Sequence, residues 1–123
     1  MTKRIVVIDD SLTVRKILET GLGRAGYDVT CYADPAEALR NLLDPSNPAP
    51  DLLLVDIGLP KLDGFEVLKY MRANWRYSNV PMYVISNRDS VLDRVKARLV
   101  GANGCILKPF KIQEVVALLQ QLL

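Results

Sequence analysis

The chain has 123 residues, half of them apolar and 24% charged, which suits one globular domain with a real core. Its net charge of +2 is too small to argue for nucleic acid or an anionic membrane as partner. Histidine is absent, which excludes a Ser-His-Asp or Cys-His nucleophile, a histidine metal site and any phosphohistidine carried here.

The first apolar run, Ile5 to Ile8, is ended by Asp9 and Asp10, too soon for a secretory signal. No run approaches a membrane-spanning length. Arg4 to Ile8 therefore reads as a strand. Ser11 caps the helix after it, whose face is Val14, Ile17, Leu18, Leu22 and Ala25, closed by Gly26. Asp28 to Tyr32 alternates polar and apolar, as a half-exposed edge strand does. Asp34, Pro35 and Glu37 then supply an N-cap, a first-turn proline and a capping-box glutamate for a helix burying Leu39, Leu42 and Leu43.

Asp44 to Pro50 is a proline-rich, stiff connector. Leu52 to Val55 follows as a strand apolar on both faces, as in a parallel sheet. It ends on Asp56, and the chain turns through Gly58, Pro60 and Gly64. Asp63 and Glu66 bracket the next helix start, with Phe65, Leu68 and Met71 on its inner face. Val80 to Ile85 is predicted as the fourth strand, with Pro81 tolerated near its beginning. Val91, Leu92, Val95 and Leu99 mark a fourth helix, stopped by Gly101. Cys105 to Leu107 is a short fifth strand, and Ile112, Val115, Val116, Leu119 and Leu122 mark a closing helix without a strong N-cap.

Strand and helix alternate five times with short connections and no repeats, which predicts one three-layer α/β domain spanning residues 1–123, its parallel sheet covered on both faces. In such a sheet the carboxyl ends of the strands share one edge, where open α/β folds place their ligands. The first strand ends in Asp9 and Asp10, the third in Asp56, the fourth in Ser86 and the fifth in Lys108. Three carboxylates brought together repel, and Mg²⁺, a hard cation that suits a few carboxylates and several waters, resolves the conflict. One carboxylate can then attack a phosphoryl group and form an acyl phosphate. An ammonium and a hydroxyl, Lys108 and Ser86, are placed to offset and hydrogen-bond its equatorial oxygens.

The stretches Val7-Ile8-Asp9-Asp10-Ser11, Asp56-Ile57-Gly58-Leu59-Pro60-Lys61-Leu62-Asp63-Gly64, Val84-Ile85-Ser86 and Lys108-Pro109-Phe110 occur in the order found in one family. From Lys3 to the C-terminus the chain resembles the receiver domains of two-component response regulators, in their CheY-like single-domain form. The resemblance implies a flavodoxin-like sheet of order 2-1-3-4-5, a strand order taken from the family rather than from the pattern. It implies that Asp56 is the phosphoacceptor, taking its phosphoryl group from the phosphohistidine of a sensor histidine kinase or a phosphotransfer protein. It also implies Asp10 and Asp56 as direct Mg²⁺ ligands, Asp9 through water, and Gly58 through its carbonyl. Ser86 and Lys108 would bind the phosphoryl group, and the Lys108-Pro109 peptide is often cis in the family.

Several positions depart from the family or add to it. Cys105 stands where the fifth strand usually carries the aromatic ring that follows the fourth-strand hydroxyl, so that coupling is in doubt; a small thiol filling the strand face is expected instead. Cys31 and Cys105 have no metal spacing and form no disulfide framework, so a reduced, cytoplasmic chain with partly buried thiols is expected. Asn87 replaces a smaller residue and could crowd the phosphoryl entrance, while Arg88 is expected to favour anionic donors. Trp75 and Tyr77 are expected to be exposed if the third helix ends near Asn74, although most such rings pack under their own loop. Arg94, Lys96 and Arg98 make the fourth helix basic, on what is the output side in this family. The stretch Lys96-Ala97-Arg98-Leu99-Val100-Gly101-Ala102 is similar to regulators tied to pilus-driven motility, which points to a motility-related effector.

The leading reading is a phosphorylation-controlled interaction module rather than an enzyme. Against it stand a phosphorylation-independent binding module, suggested by Cys105 and Asn87, and the receiver part of a longer DNA-binding regulator. A phosphatase using Asp9 as nucleophile lacks the Asp-x-Asp spacing its acid/base carboxylate would need.

Overall fold

The five alternations read from the pattern become five strands and five α-helices in a computed structural model, which describes residues 2–59, 62–88 and 90–123. The strands are β1 (Arg4–Ile8), β2 (Asp28–Tyr32), β3 (Leu52–Asp56), β4 (Met82–Ser86) and β5 (Gly104–Leu107). The helices are α1 (Leu12–Arg24), α2 (Pro35–Leu43), α3 (Gly64–Arg72), α4 (Val91–Leu99) and α5 (Ile112–Leu122). The sheet is parallel throughout, in the order β2-β1-β3-β4-β5 expected from the family. Pro60 and Lys61, read as part of the turn after β3, lie outside the described residues.

Alternation along the strands splits the core in two. Val6, Ile8, Leu53 and Val55 face α2 and α3, where they meet Leu42, Leu68 and Met71. Ile5, Val7, Leu52 and Leu54 face α1 and α5, where they meet Leu18, Leu22, Val115 and Leu119. All of β3 is buried, which is why its sequence is an unbroken apolar run. The helix starts follow their caps: Ser11, Asp34, Asp63 and Ser90 each accept a first-turn backbone N–H, while α5 has no side-chain cap.

Five expectations are corrected. Strand β4 starts at Met82, because Pro81 has no N–H for the ladder; its carbonyl still accepts from Leu53 N. Strand β5 starts one residue early, at Gly104, where a Cβ would lie 2.7 Å from the Tyr83 ring. Tyr77 is fully buried rather than exposed: its hydroxyl donates to the Leu42 carbonyl, whereas Trp75 is 83% exposed. Burial stabilises the ring by about 1.5–3 kcal/mol, and the hydrogen bond removes the penalty of hiding its polar end.

The fourth correction concerns α4. Val91, Leu92, Val95 and Leu99 mark the helix, but they face outward, and Ala97 is its buried residue. Helical spacing identifies a face without saying whether the rest of the chain covers it. Cys105 likewise points out of β5 and is exposed rather than buried; Cys31 is partly buried, as expected.

Candidate functional site

The register places the acids. Ile8 pairs with Val55, so Asp9, one residue past β1, lies beside Asp56, the last residue of β3. Asp56 pairs with Ile85, which brings Ser86 to the same edge, and Ser86 pairs with Leu107, which delivers Lys108. A further bond ties that corner down: Lys108 N–H donates to the Ser86 carbonyl at 2.6 Å.

Carboxylate oxygens of Asp9, Asp10 and Asp56 lie within 4.8 Å of one another. Asp9 is fully buried and Asp10 exposed. Asp9 Oδ1 accepts the Ser11 N–H at 2.9 Å, and its Oδ2 sits 2.9 Å from Lys108 Nζ. Asp56 Oδ1 accepts the Gly58 N–H at 2.9 Å, and its Oδ2 is 3.6 Å from the same ammonium. Lys108 thus lies between two acids and is closer to Asp9. Its Lys108-Pro109 peptide is cis.

Burial pushes the Asp56 carboxyl above the ordinary carboxylate range, and the negative charges of Asp9 and Asp10 add to this. The Gly58 N–H and Lys108 oppose it without reversing it. An acid in that condition favours a nearby cation. Three oxygens of this spacing, two from buried residues and one from an exposed residue, make a donor set of the kind a hard divalent ion takes.

Ser86 is buried, and its hydroxyl is engaged with its own loop. Oγ accepts the Arg88 N–H at 3.1 Å and donates to the Arg88 carbonyl at 3.0 Å. Asn87 is exposed and helps line a groove of about 410 Å³ with Lys108, Phe110 and Ile17. Arg88 does not present a free charge: its guanidinium pairs with Asp93 in the first turn of α4 at 2.9 Å.

All six residues singled out in the sequence, Asp9, Asp10, Asp56, Gly58, Ser86 and Lys108, meet at this edge. Two others escaped sequence reasoning. Arg15 reaches back from α1 to donate to the Asp9 carbonyl at 2.8 Å. The Arg88–Asp93 pair joins a loop to a helix, where no periodic signal applies. Only the acidic first turn of α4 hinted that Asp93 would attract a cation.

Sequence comparison gives the class of this edge. Residues 5–120 match the response regulator receiver domain, and the chain belongs to that family, the phosphoacceptor modules of two-component signalling. Among its relatives, protein PilG of Pseudomonas aeruginosa is 34% identical over 113 residues, covering 92% of this chain and 82% of that protein. The transcriptional regulatory protein PrrA of Mycobacterium leprae is 41% identical over 120 residues, 98% of this chain but 49% of PrrA. The chain therefore spans about half the length of that relative. Among solved structures, the chemotaxis response regulator CheY4 of Vibrio cholerae superposes with a TM-score of 0.92 at 28% identity, covering all of both chains. Receiver domains generally bind Mg²⁺, and the acid cluster that could hold it is present here.

Proposed function

We propose that Asp56 is the phosphoacceptor of a single receiver domain spanning residues 1–123, and that its phosphorylation changes the surface offered to an effector protein. The observation carrying this is the asymmetric hold on Asp56: Oδ1 is fixed by the Gly58 N–H, while Oδ2 faces Lys108 at 3.6 Å. An oxygen of Asp56 attacks phosphorus, and a P–O bond forms as the donor's P–N bond breaks. The leaving imidazole keeps the electron pair and takes a proton from solvent. Asp9, Asp10, Asp56 and the Gly58 carbonyl would hold Mg²⁺, which supplies charge neutralisation at the phosphoryl oxygens.

Lys108 then trades part of its contact with Asp9 for the incoming phosphoryl group, and Ser86 donates its hydroxyl proton to the same group. The domain assists its own phosphorylation and its reversal but acts on no separate substrate. Its donor is a sensor histidine kinase or a phosphotransfer protein, and its compartment is the cytoplasm. No helix of the described residues is long and apolar enough to cross a membrane. A motility-related effector is the working assignment for the output.

The test is intact mass after incubation with acetyl phosphate and Mg²⁺. A phosphoryl adduct on the unaltered chain and none on Asp56→Asn supports the assignment; adduct on both, or on neither, overturns it. A second reading is favoured by the match to half of PrrA: the chain would be the receiver part of a longer transcriptional regulator. The length of the natural reading frame separates the two.

A further inference from the structure

This inference deepens the assignment of Asp56 and Ser86 above and rests on it. The Ser86 hydroxyl has one proton, and in this structure that proton goes to the Arg88 carbonyl at 3.0 Å. It cannot also go to a phosphoryl oxygen. When Ser86 turns to a phosphorylated Asp56, the Arg88 carbonyl loses its donor, and the loop carrying Arg88 loses a tie to the end of β4.

What lies on the other side of Arg88 gives that loss a destination. Its guanidinium pairs with Asp93 at 2.9 Å, and Asp93 N–H in turn donates to Ser90 Oγ, the cap of α4. The Asp93 side chain is 16% exposed and that of Arg88 70%, so the acid's side of the pair is sheltered while the guanidinium stays in contact with solvent. Helix α4 is also lightly held. Ala97 is its buried residue, while Val91, Leu92, Val95 and Leu99 are between 51% and 81% exposed. A cavity of about 290 Å³ separates part of it from β5, lined among others by Ser86, Arg88, Asp93, Ala97 and Cys105. A helix with few buried apolar contacts beside open volume is displaced at low cost.

We propose that the Arg88–Asp93 ion pair transmits the state of the Ser86 hydroxyl to α4, in a chain whose fifth strand offers an outward-facing cysteine and no ring. The route runs from Ser86 Oγ to the Arg88 backbone, through the Arg88 side chain to Asp93, and so to the first turn of α4. Arg88 and Asp93 are positioning residues, since neither touches the reacting atoms.

Amide hydrogen exchange of α4, read before and after saturating acetyl phosphate with Mg²⁺ and normalised to the adduct fraction from intact mass, tests this on the full chain. The unaltered protein should change exchange in α4 on phosphorylation. Arg88→Ala and Asp93→Asn should take up phosphate, yet show an α4 response smaller by about threefold or more, the scale of a coupled contact. The charge-swapped pair Arg88→Asp with Asp93→Arg should recover much of it, which a merely structural loss would not. Adduct formation with an undiminished α4 response in Arg88→Ala overturns the route, as does an unaltered chain whose α4 never responds. Absence of adduct from the unaltered chain instead overturns the assignment of Asp56, and the route with it.

Discussion

Helices α3 and α4 have the same length and lie on the same face of the sheet. Their apolar content is also alike: Phe65, Val67, Leu68, Tyr70 and Met71 against Val91, Leu92, Val95, Ala97 and Leu99. Yet α3 buries Gly64, Phe65, Val67, Leu68 and Met71, whereas α4 buries Ala97. The first follows β3, the most enclosed strand, and its start is pressed against the end of that strand. The second lies between β4 and the edge strand β5, where the sheet offers less to cover. The acids thus rest on a well-anchored half, while the other half carries its apolar side chains in solvent.

The largest effect expected from this contrast is on stability. Leu68→Ala should cost about 2–5 kcal/mol, and Leu92→Ala should stay within about 0.5 kcal/mol of the parent. Urea unfolding of the two variants measures both, and comparable losses would break the contrast. Next is the tie between the halves. Arg72 of α3 donates to the Gly101 carbonyl just past α4 at 2.9 Å, to Asn103 Oδ1 at 2.9 Å and to the Tyr77 carbonyl. Arg72→Ala should destabilise by about 1–3 kcal/mol, because those acceptors lose a charged donor. Proteolysis near residues 99–103 should accelerate with it.

The anchored half also predicts a pH dependence. Asp56 binds its proton more readily folded than unfolded, so its contribution to stability falls as pH rises from the ordinary carboxylate range through its raised pKa. Asp56→Asn should therefore be more stable than the parent at neutral pH, on the order of 1 kcal/mol. That gain should shrink in acid, where Asp56 is protonated in both states, and also with added Mg²⁺, which stabilises only a chain that binds it. Thermal melts across pH, with and without Mg²⁺, read all three; a less stable Asp56→Asn at neutral pH contradicts the burial argument. The smallest effect concerns the one ring contact from α4 to α3 among the described residues, Lys96 Nζ at 4.5 Å from the Phe65 ring centroid. Lys96→Gln should cost about 0.5–1 kcal/mol, measured by the same unfolding.

The architecture was legible because parallel strands carry their own address. Once the runs ending at Asp9, Asp56, Ser86 and Lys108 were read as strands of one parallel sheet, their convergence followed without any side-chain detail. Ser11, Asp34 and Asp63 announced their helices because capping is a local chemical rule. Legibility failed where the answer lay in contacts between segments far apart in the chain. Nothing near Tyr77 reveals that the Leu42 carbonyl awaits its hydroxyl. Nothing in the spacing of Val91, Leu92, Val95 and Leu99 says that no layer covers them. The pairing of Arg88 with Asp93 went unseen because the partner belongs to the next element.

Gly64 has a consequence for Asp56 beneath it. A Cβ there would come within 2.4 Å of the Asp56 carbonyl oxygen, so backbone meets backbone with no cushion between. The peptide that follows the Asp56 side chain is therefore held directly against the start of α3, with no room for a side chain between them. A methyl group at position 64 would act as a wedge, prising the start of α3 away from the end of β3.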